Sequence, residues 1–170
     1  MKQIRVSKVT LNIGVGEPGD KLNKAVKLLE RISASKAVKT KTEKRIPTLG
    51  IRPGLQIAAM VTLRKQKAEK VLALLLKSLD YHIPESKFDS YGNFSFGIKE
   101  YIDIPGIEYD PAIGILGLEA AVTLERPGFR IKSRLKPSKI GSRHKITKQE
   151  AIAFMKEKFN INKKLMEIEY

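Results

Sequence analysis

The chain contains no cysteine, and that absence alone excludes disulfides, thiolate-bound zinc, iron–sulfur clusters and cysteine nucleophiles. Its two histidines, His82 and His144, are too few for a histidine-built metal site. Long apolar runs are missing as well. The longest, VLALLL at 71–76, falls far short of the roughly 20 residues that cross a bilayer, and the N-terminus carries no apolar signal segment. A soluble, cytosolic protein is expected. Acids are scarce: 18 against 33 lysines and arginines, for a net charge of +15. The usual partner of such a balance is a polyanion, with nucleic acid the first candidate and an anionic membrane surface the second. What the chain does have is enough apolar material, 42% of its 170 residues, for one hydrophobic core. A single domain over 1–170 is expected.

The excess charge is concentrated. Between Lys36 and Arg52 stand six basic residues (Lys36, Lys39, Lys41, Lys44, Arg45, Arg52) and one acid, Glu43. Between Arg126 and Lys148 stand nine (Arg126, Arg130, Lys132, Arg134, Lys136, Lys139, Arg143, Lys145, Lys148) and no acid. The two segments hold fourteen of the fifteen net charges, so the rest of the chain is nearly neutral. One basic run is often just a solvated face. Two acid-poor runs interrupted by Gly, Pro, Ser and Thr read as extended loops or hairpins, whose spaced cations suit a phosphate backbone.

Periodicity supplies the framework. KVTLNI (8–13) alternates apolar and polar residues and predicts a strand with Val9, Leu11 and Ile13 on one face. A helix is expected from an Asp20 N-cap to about Ser33, with Leu22, Ala25, Val26, Leu29 and Ile32 as its stripe. LQIAAMVTLR (55–64) predicts a strand, and 65–80 a helix burying Val71, Leu72, Leu75, Leu76 and Leu79. Further strands are expected at NFSFGI (93–98) and 118–124, then a cationic hairpin where FRIKSRL (129–135) alternates after Arg126-Pro127-Gly128. Thr147 and Glu150 form a capping box for a last helix with Ile152, Met155 and Phe159 on its apolar face, and a poorly ordered tail is expected over 160–170. Strands in adjacent pairs predict an α+β fold: a mostly antiparallel sheet with helices packed on one face.

One motif points elsewhere. Gly14, Gly16 and Gly19 spell G-x-G-x-x-G between a strand and a helix, which is the setting of a dinucleotide site. The second, buried strand of such a unit is missing, because KAVKTKTEK (36–44) stands in its place. Pro18 removes a donor from the turn and Glu17 adds a negative charge to it. The glycines are read as permitting a tight turn, or close approach of a nucleic-acid backbone at Gly14 and Gly16. The acids Glu100, Asp103, Glu108 and Asp110 have no paired histidine, so no catalytic residue, metal or cofactor is assigned. Glu119 and Glu125 read as solvated groups or as neutralising neighbours of arginines.

Placed in order, VTLNIGVGEPGDKL (9–22), PTLGIRPGLQIAAMVTLR (47–64), FDSYGNFSFGI (88–98) and IEYDPAIGILGLEAAVTLERPG (107–128) resemble the universal 5S rRNA-binding family of large-subunit ribosomal proteins, the family numbered five, in its archaeal form. SRHK (142–145) and the long basic segment fit the archaeal and eukaryotic branch, while Lys65 stands where a glycine often follows VTLR. The resemblance implies a non-catalytic constituent of the central protuberance, bound to 5S rRNA and 23S rRNA beside neighbouring ribosomal proteins, with no small-molecule substrate. It implies that Asn12, Thr62 and Arg64 face 5S rRNA, and that the loop at about 39–52, with Lys39, Lys41, Lys44, Arg45 and Arg52, reaches toward P-site tRNA. Arg130, Lys132, Arg134, Arg143 and Lys145 are expected on RNA phosphates. Tyr91, Phe94 and Phe96 are candidate stacking surfaces, with core packing the expected role of at least one of the two phenylalanines. Two other classes stay in view: a peripheral protein of anionic membranes, which needs a basic amphipathic helix, and a dinucleotide-dependent enzyme.

Overall fold

A computed structural model of the chain describes residues 1–161. Five strands, β1 (Arg5–Gly14), β2 (Val38–Lys41), β3 (Gln56–Arg64), β4 (Phe94–Ile98) and β5 (Leu118–Glu125), make one antiparallel sheet in the order β2-β3-β1-β5-β4. Three helices accompany it: α1 (Asp20–Ser33), α2 (Lys65–Lys77) and α3 (Lys148–Phe159). The expected α+β class is the one observed.

Alternation produces the strands and also decides which face of the sheet is covered. Val9, Leu11 and Ile13 of β1, Val61 and Leu63 of β3, Leu118, Ala120, Val122 and Leu124 of β5, and Phe94, Phe96 and Ile98 of β4 are all buried. Against this face lie Leu22, Ala25, Leu28, Leu29 and Ile32 of α1 and Ala68, Val71, Leu72, Leu75 and Leu76 of α2. Each fully buried leucine contributes roughly 1.5–3 kcal/mol. Leu28 takes the central place expected of Val26, which is only partly buried. Asp20 is the first helical residue rather than the cap; Gly19 caps α1 with no side-chain bond. In α3 the capping box forms as the spacing predicts: Thr147 Oγ1 accepts from Glu150 N–H, and Glu150 Oε2 accepts from Thr147 N–H. Ala151 and Met155 are its buried residues, and Ile161 just beyond it is buried too. The tail expected over 160–170 lies, from 162 onward, outside the described residues.

Two further expectations fail. FRIKSRL is no hairpin: Phe129–Lys132 is a 3-10 turn entered through Gly128 at φ 98°, and the Arg130 carbonyl accepts from the N–H groups of Ser133 and Arg134. Alternation over seven residues cannot make a strand without a partner strand, and the chain here satisfies its backbone locally instead. Phe94 and Phe96 do not offer stacking surfaces, because both point into the core, their rings 6.2 Å apart and Phe94 stacked 4.8 Å from Phe88.

Candidate nucleic-acid interface

Among the described residues, the helices pack their buried side chains on one face of the sheet and leave the opposite face open. Its residues follow from the parity of each strand: Lys8, Thr10, Asn12 and Gly14 on β1, Ala58, Met60, Thr62 and Arg64 on β3, Glu119, Ala121 and Thr123 on β5, Ser95 and Gly97 on β4. The register sets them in rows. Arg64, Lys8 and Thr123 lie across one end, Thr62, Thr10, Ala121 and Ser95 across the middle, and Met60, Asn12, Glu119 and Gly97 toward the other end. Asn12, Thr62 and Arg64 therefore share one open face of small and polar side chains. Thr10 and Lys8 belong with them and could have been found by stepping back two and four residues from Asn12. Glu119 is the acid beside Asn12 on this face and, among the described residues, enters no ion pair. Glu125 does neutralise an arginine: its Oε1 is 2.6 Å from Arg5 Nη2.

The two basic segments leave the sheet at opposite ends. The loop at 42–55 joins β2 to β3 beyond Gly14, whereas the second segment follows Glu125, which pairs with Arg5 at the start of β1. The nine residues of β3 put about 30 Å between these ends, at about 3.4 Å per residue. Lys44, Arg45 and Arg52 are exposed in the first loop, which a bridge between Ile46 and Ile51 and a 3-10 turn at Pro47–Leu49 hold in shape. Lys39 and Lys41 lie on β2, not in the loop, and Lys39 Nζ donates to Asn23 Oδ1 of α1 at 2.7 Å. That lysine is turned toward the helix layer. Arg130, Lys132, Arg143 and Lys145 are exposed in the second segment. Arg134 is exposed as well but is bonded within its own loop, donating to the Lys136 carbonyl at 2.9 Å. His144 sits with a ring nitrogen 2.9 Å from the Pro127 carbonyl and its ring against the edge of Phe129, so it helps shape the segment.

The glycine motif is occupied by its own backbone. Val15 N–H and Gly16 N–H both donate to the Ile57 carbonyl at 3.0 Å, leaving neither free to cradle a pyrophosphate. The strand after α1 is β2, an antiparallel edge strand, so the parallel unit that motif serves is not built. Gly14 lies exposed at the end of the open face, and Gly16 adopts φ +84° in the turn that follows. The second basic segment contains only short 3-10 turns, Phe129–Lys132 and Ser142–His144, and so presents no amphipathic helix to a membrane. Among the described residues no helix is long and apolar enough to cross one.

Comparison with known proteins finds relatives along nearly the whole chain. The family described as ribosomal protein L5 matches residues 1–52, and the model for the C-terminus of the same ribosomal family matches 56–154. The chain is 53% identical over 163 residues to large ribosomal subunit protein uL5 of Nanoarchaeum equitans, covering 95% of this chain and 96% of the relative. Large ribosomal subunit protein uL5 of Methanosphaera stadtmanae is 47% identical over 162 residues, covering 95% and 96%. The protein of the same name from Sulfolobus acidocaldarius is 47% identical over 162 residues, covering 95% and 91%.

Proposed function

Because the chain belongs to the ribosomal protein L5 family, we propose that the open face of its sheet holds 5S rRNA in the central protuberance of the large subunit. As a member of that family the chain is a structural constituent of the large subunit, not an enzyme, and it works in the cytoplasmic ribosome. The finer reading rests above all on one observation: Asn12, Thr62 and Arg64, drawn from two strands, lie on one uncovered face whose cationic end is formed by Arg64 and Lys8. A-form RNA hides its base edges in a deep groove, so such a face would meet 2′-hydroxyls, phosphates and splayed loop bases. Thr10, Asn12 and Thr62 supply short donors and acceptors for the first, and Arg64 and Lys8 supply cations for the second.

The basic segments at the two ends give this single unit, 1–170, reach toward other polyanions. The loop with Lys44, Arg45 and Arg52 is assigned to P-site tRNA, and the segment with Arg130, Lys132, Arg143 and Lys145 to 23S rRNA near neighbouring proteins. Their separation along the sheet supports two contacts rather than one.

The test is binding of the purified protein to 5S rRNA and to an unrelated RNA of equal length across a salt series, with Arg64→Ala beside wild type. Expected is a preference for 5S rRNA that survives high salt and falls for Arg64→Ala. Equal binding of both RNAs that vanishes with salt would reduce the interaction to counterion release and remove the reading.

A further inference from the structure

A second concave surface lies between the turn before β4 and the basic segment after β5. Its cavity of about 610 Å³ is in the size range of small-ligand sites, roughly 300–1,000 Å³. Phe129, Ile140 and Ile146 give it an apolar lining, Lys132, Lys139 and Lys145 a cationic one, and Tyr91 an aromatic one. No aspartate or glutamate lines it. None of the three lysines enters an ion pair among the described residues.

Tyr91 is 64% exposed, yet its backbone is tightly fixed. Asp89 Oδ1 accepts from Tyr91 N–H at 2.8 Å and from Asn93 N–H at 2.7 Å, and Asn93 Oδ1 accepts from Leu124 N–H of β5 at 3.3 Å. The next residue, Gly92, has φ +79° and lies so close to Ile146 that an added Cβ would stand 2.6 Å from its Cγ2. An exposed aromatic ring on a rigid turn loses little freedom when something stacks on it. A ring beside three uncompensated cations matches the two halves of an unstacked nucleotide, its base and its phosphates. A duplex cannot present a base that way.

We propose that this niche takes one splayed nucleotide of single-stranded RNA, its base on Tyr91 and its flanking phosphates on Lys132, Lys139 and Lys145. The inference rests on the RNA-binding reading above but not on which RNA the sheet holds: the niche adjoins the open face at Thr123 and uses none of Asn12, Thr62 and Arg64.

The experiment is fluorescence anisotropy of the full chain with a short labelled single-stranded oligouridylate and with a duplex RNA of equal charge. Tyr91→Leu should weaken oligouridylate binding roughly ten-fold, the scale of losing one base–aromatic stack, while Tyr91→Phe stays close to wild type and duplex binding does not change. A 4-thiouridine placed in the oligonucleotide should cross-link at Tyr91. The proposal is overturned if Tyr91→Leu binds the oligouridylate like wild type, if Tyr91→Phe loses as much as Tyr91→Leu, or if duplex binding falls in parallel. The first of these outcomes would leave only a patch of lysines. Failure of the 5S rRNA reading shows in the Arg64→Ala titration against 5S rRNA and failure of this one in the Tyr91→Leu and Tyr91→Phe titrations against oligouridylate, so the two show in different variants. Circular dichroism checks the fold of each, and the Tyr91→Phe arm and the cross-link keep the question decidable should the leucine variant misfold.

Discussion

Arg126 is the buried charged residue among those described, 6% exposed, although it opens the most basic segment of the chain. Its guanidinium donates to the carbonyls of Lys2, His144 and Lys145 and to Glu150 Oε1 at 2.8 Å. It thus ties the N-terminus, the end of the basic segment and the start of α3 into one knot, and it is a structural residue where its neighbours are RNA candidates. Arg126→Ala should cost about 3 kcal/mol, the low end for breaking a buried pair because Glu150 is partly exposed; urea unfolding reads it. The bond from Thr147 N–H and then the Arg126 guanidinium hold the Glu150 carboxyl below the ordinary carboxylate range. A lowered native pKa means a contribution complete at neutral pH and lost as pH falls through the native value. The stability gap between wild type and Glu150→Gln should therefore close below about pH 4, visible in thermal melts across pH. Lys65 carries a different cost: φ +56° places it in the left-handed region, which glycine adopts freely. Lys65→Gly should raise stability by about 0.5–1 kcal/mol in the same assay.

Elements whose own side chains are buried were readable before any coordinates. β1, β3 and β5 alternate, α2 repeats its leucines every three to four residues, and α3 announces itself with Thr147 and Glu150, because in each the pattern is the cause of the burial. β2 is exposed along most of its length, Val38 included, so no buried stripe marked VKTK as a strand within the expected loop or hairpin; its hydrogen bonds come from β3. The segment after Gly128 fails for the converse reason, having the alternation of a strand and no partner. The turn before β4 depends on a contact distant in sequence, Gly92 against Ile146, which no local pattern shows. Gly92→Ala should destabilise the protein by about 2 kcal/mol, through an unfavourable φ and a steric clash at Ile146. Its melting temperature should fall further than that of Thr147→Ala, which removes one helix cap worth about 1 kcal/mol.

At the scale of the whole molecule, the charge and the face proposed for 5S rRNA lie in different places. The net +15 resides almost wholly in segments at the two ends of the sheet, while the face between them is small and polar. That arrangement was hidden in the sequence, where the charge clusters were plain but the strand order that sends them to opposite ends was not. Likewise, Asn12, Thr62 and Arg64 entered through resemblance, and only the register puts them on successive rows of one face. Neutralising Arg130, Lys136 and Arg143 together to glutamine should flatten the plot of log affinity against log salt by about 2 units, at about 0.7–0.9 per lost phosphate contact. The preference for 5S rRNA over an unrelated RNA should survive that change, as titrations at several salt concentrations would show.

The middle strand of the sheet is also the first to be made. β1 takes its partners from β3 and β5, and about a hundred residues lie between Gly14 and Leu118. At roughly 5–20 residues per second, a ribosome spends about 5–20 s between finishing β1 and reaching the strand that closes its other side. For that interval the nascent chain carries an unpaired strand edge of the kind that invites aggregation, shielded only by whatever meets it as it emerges.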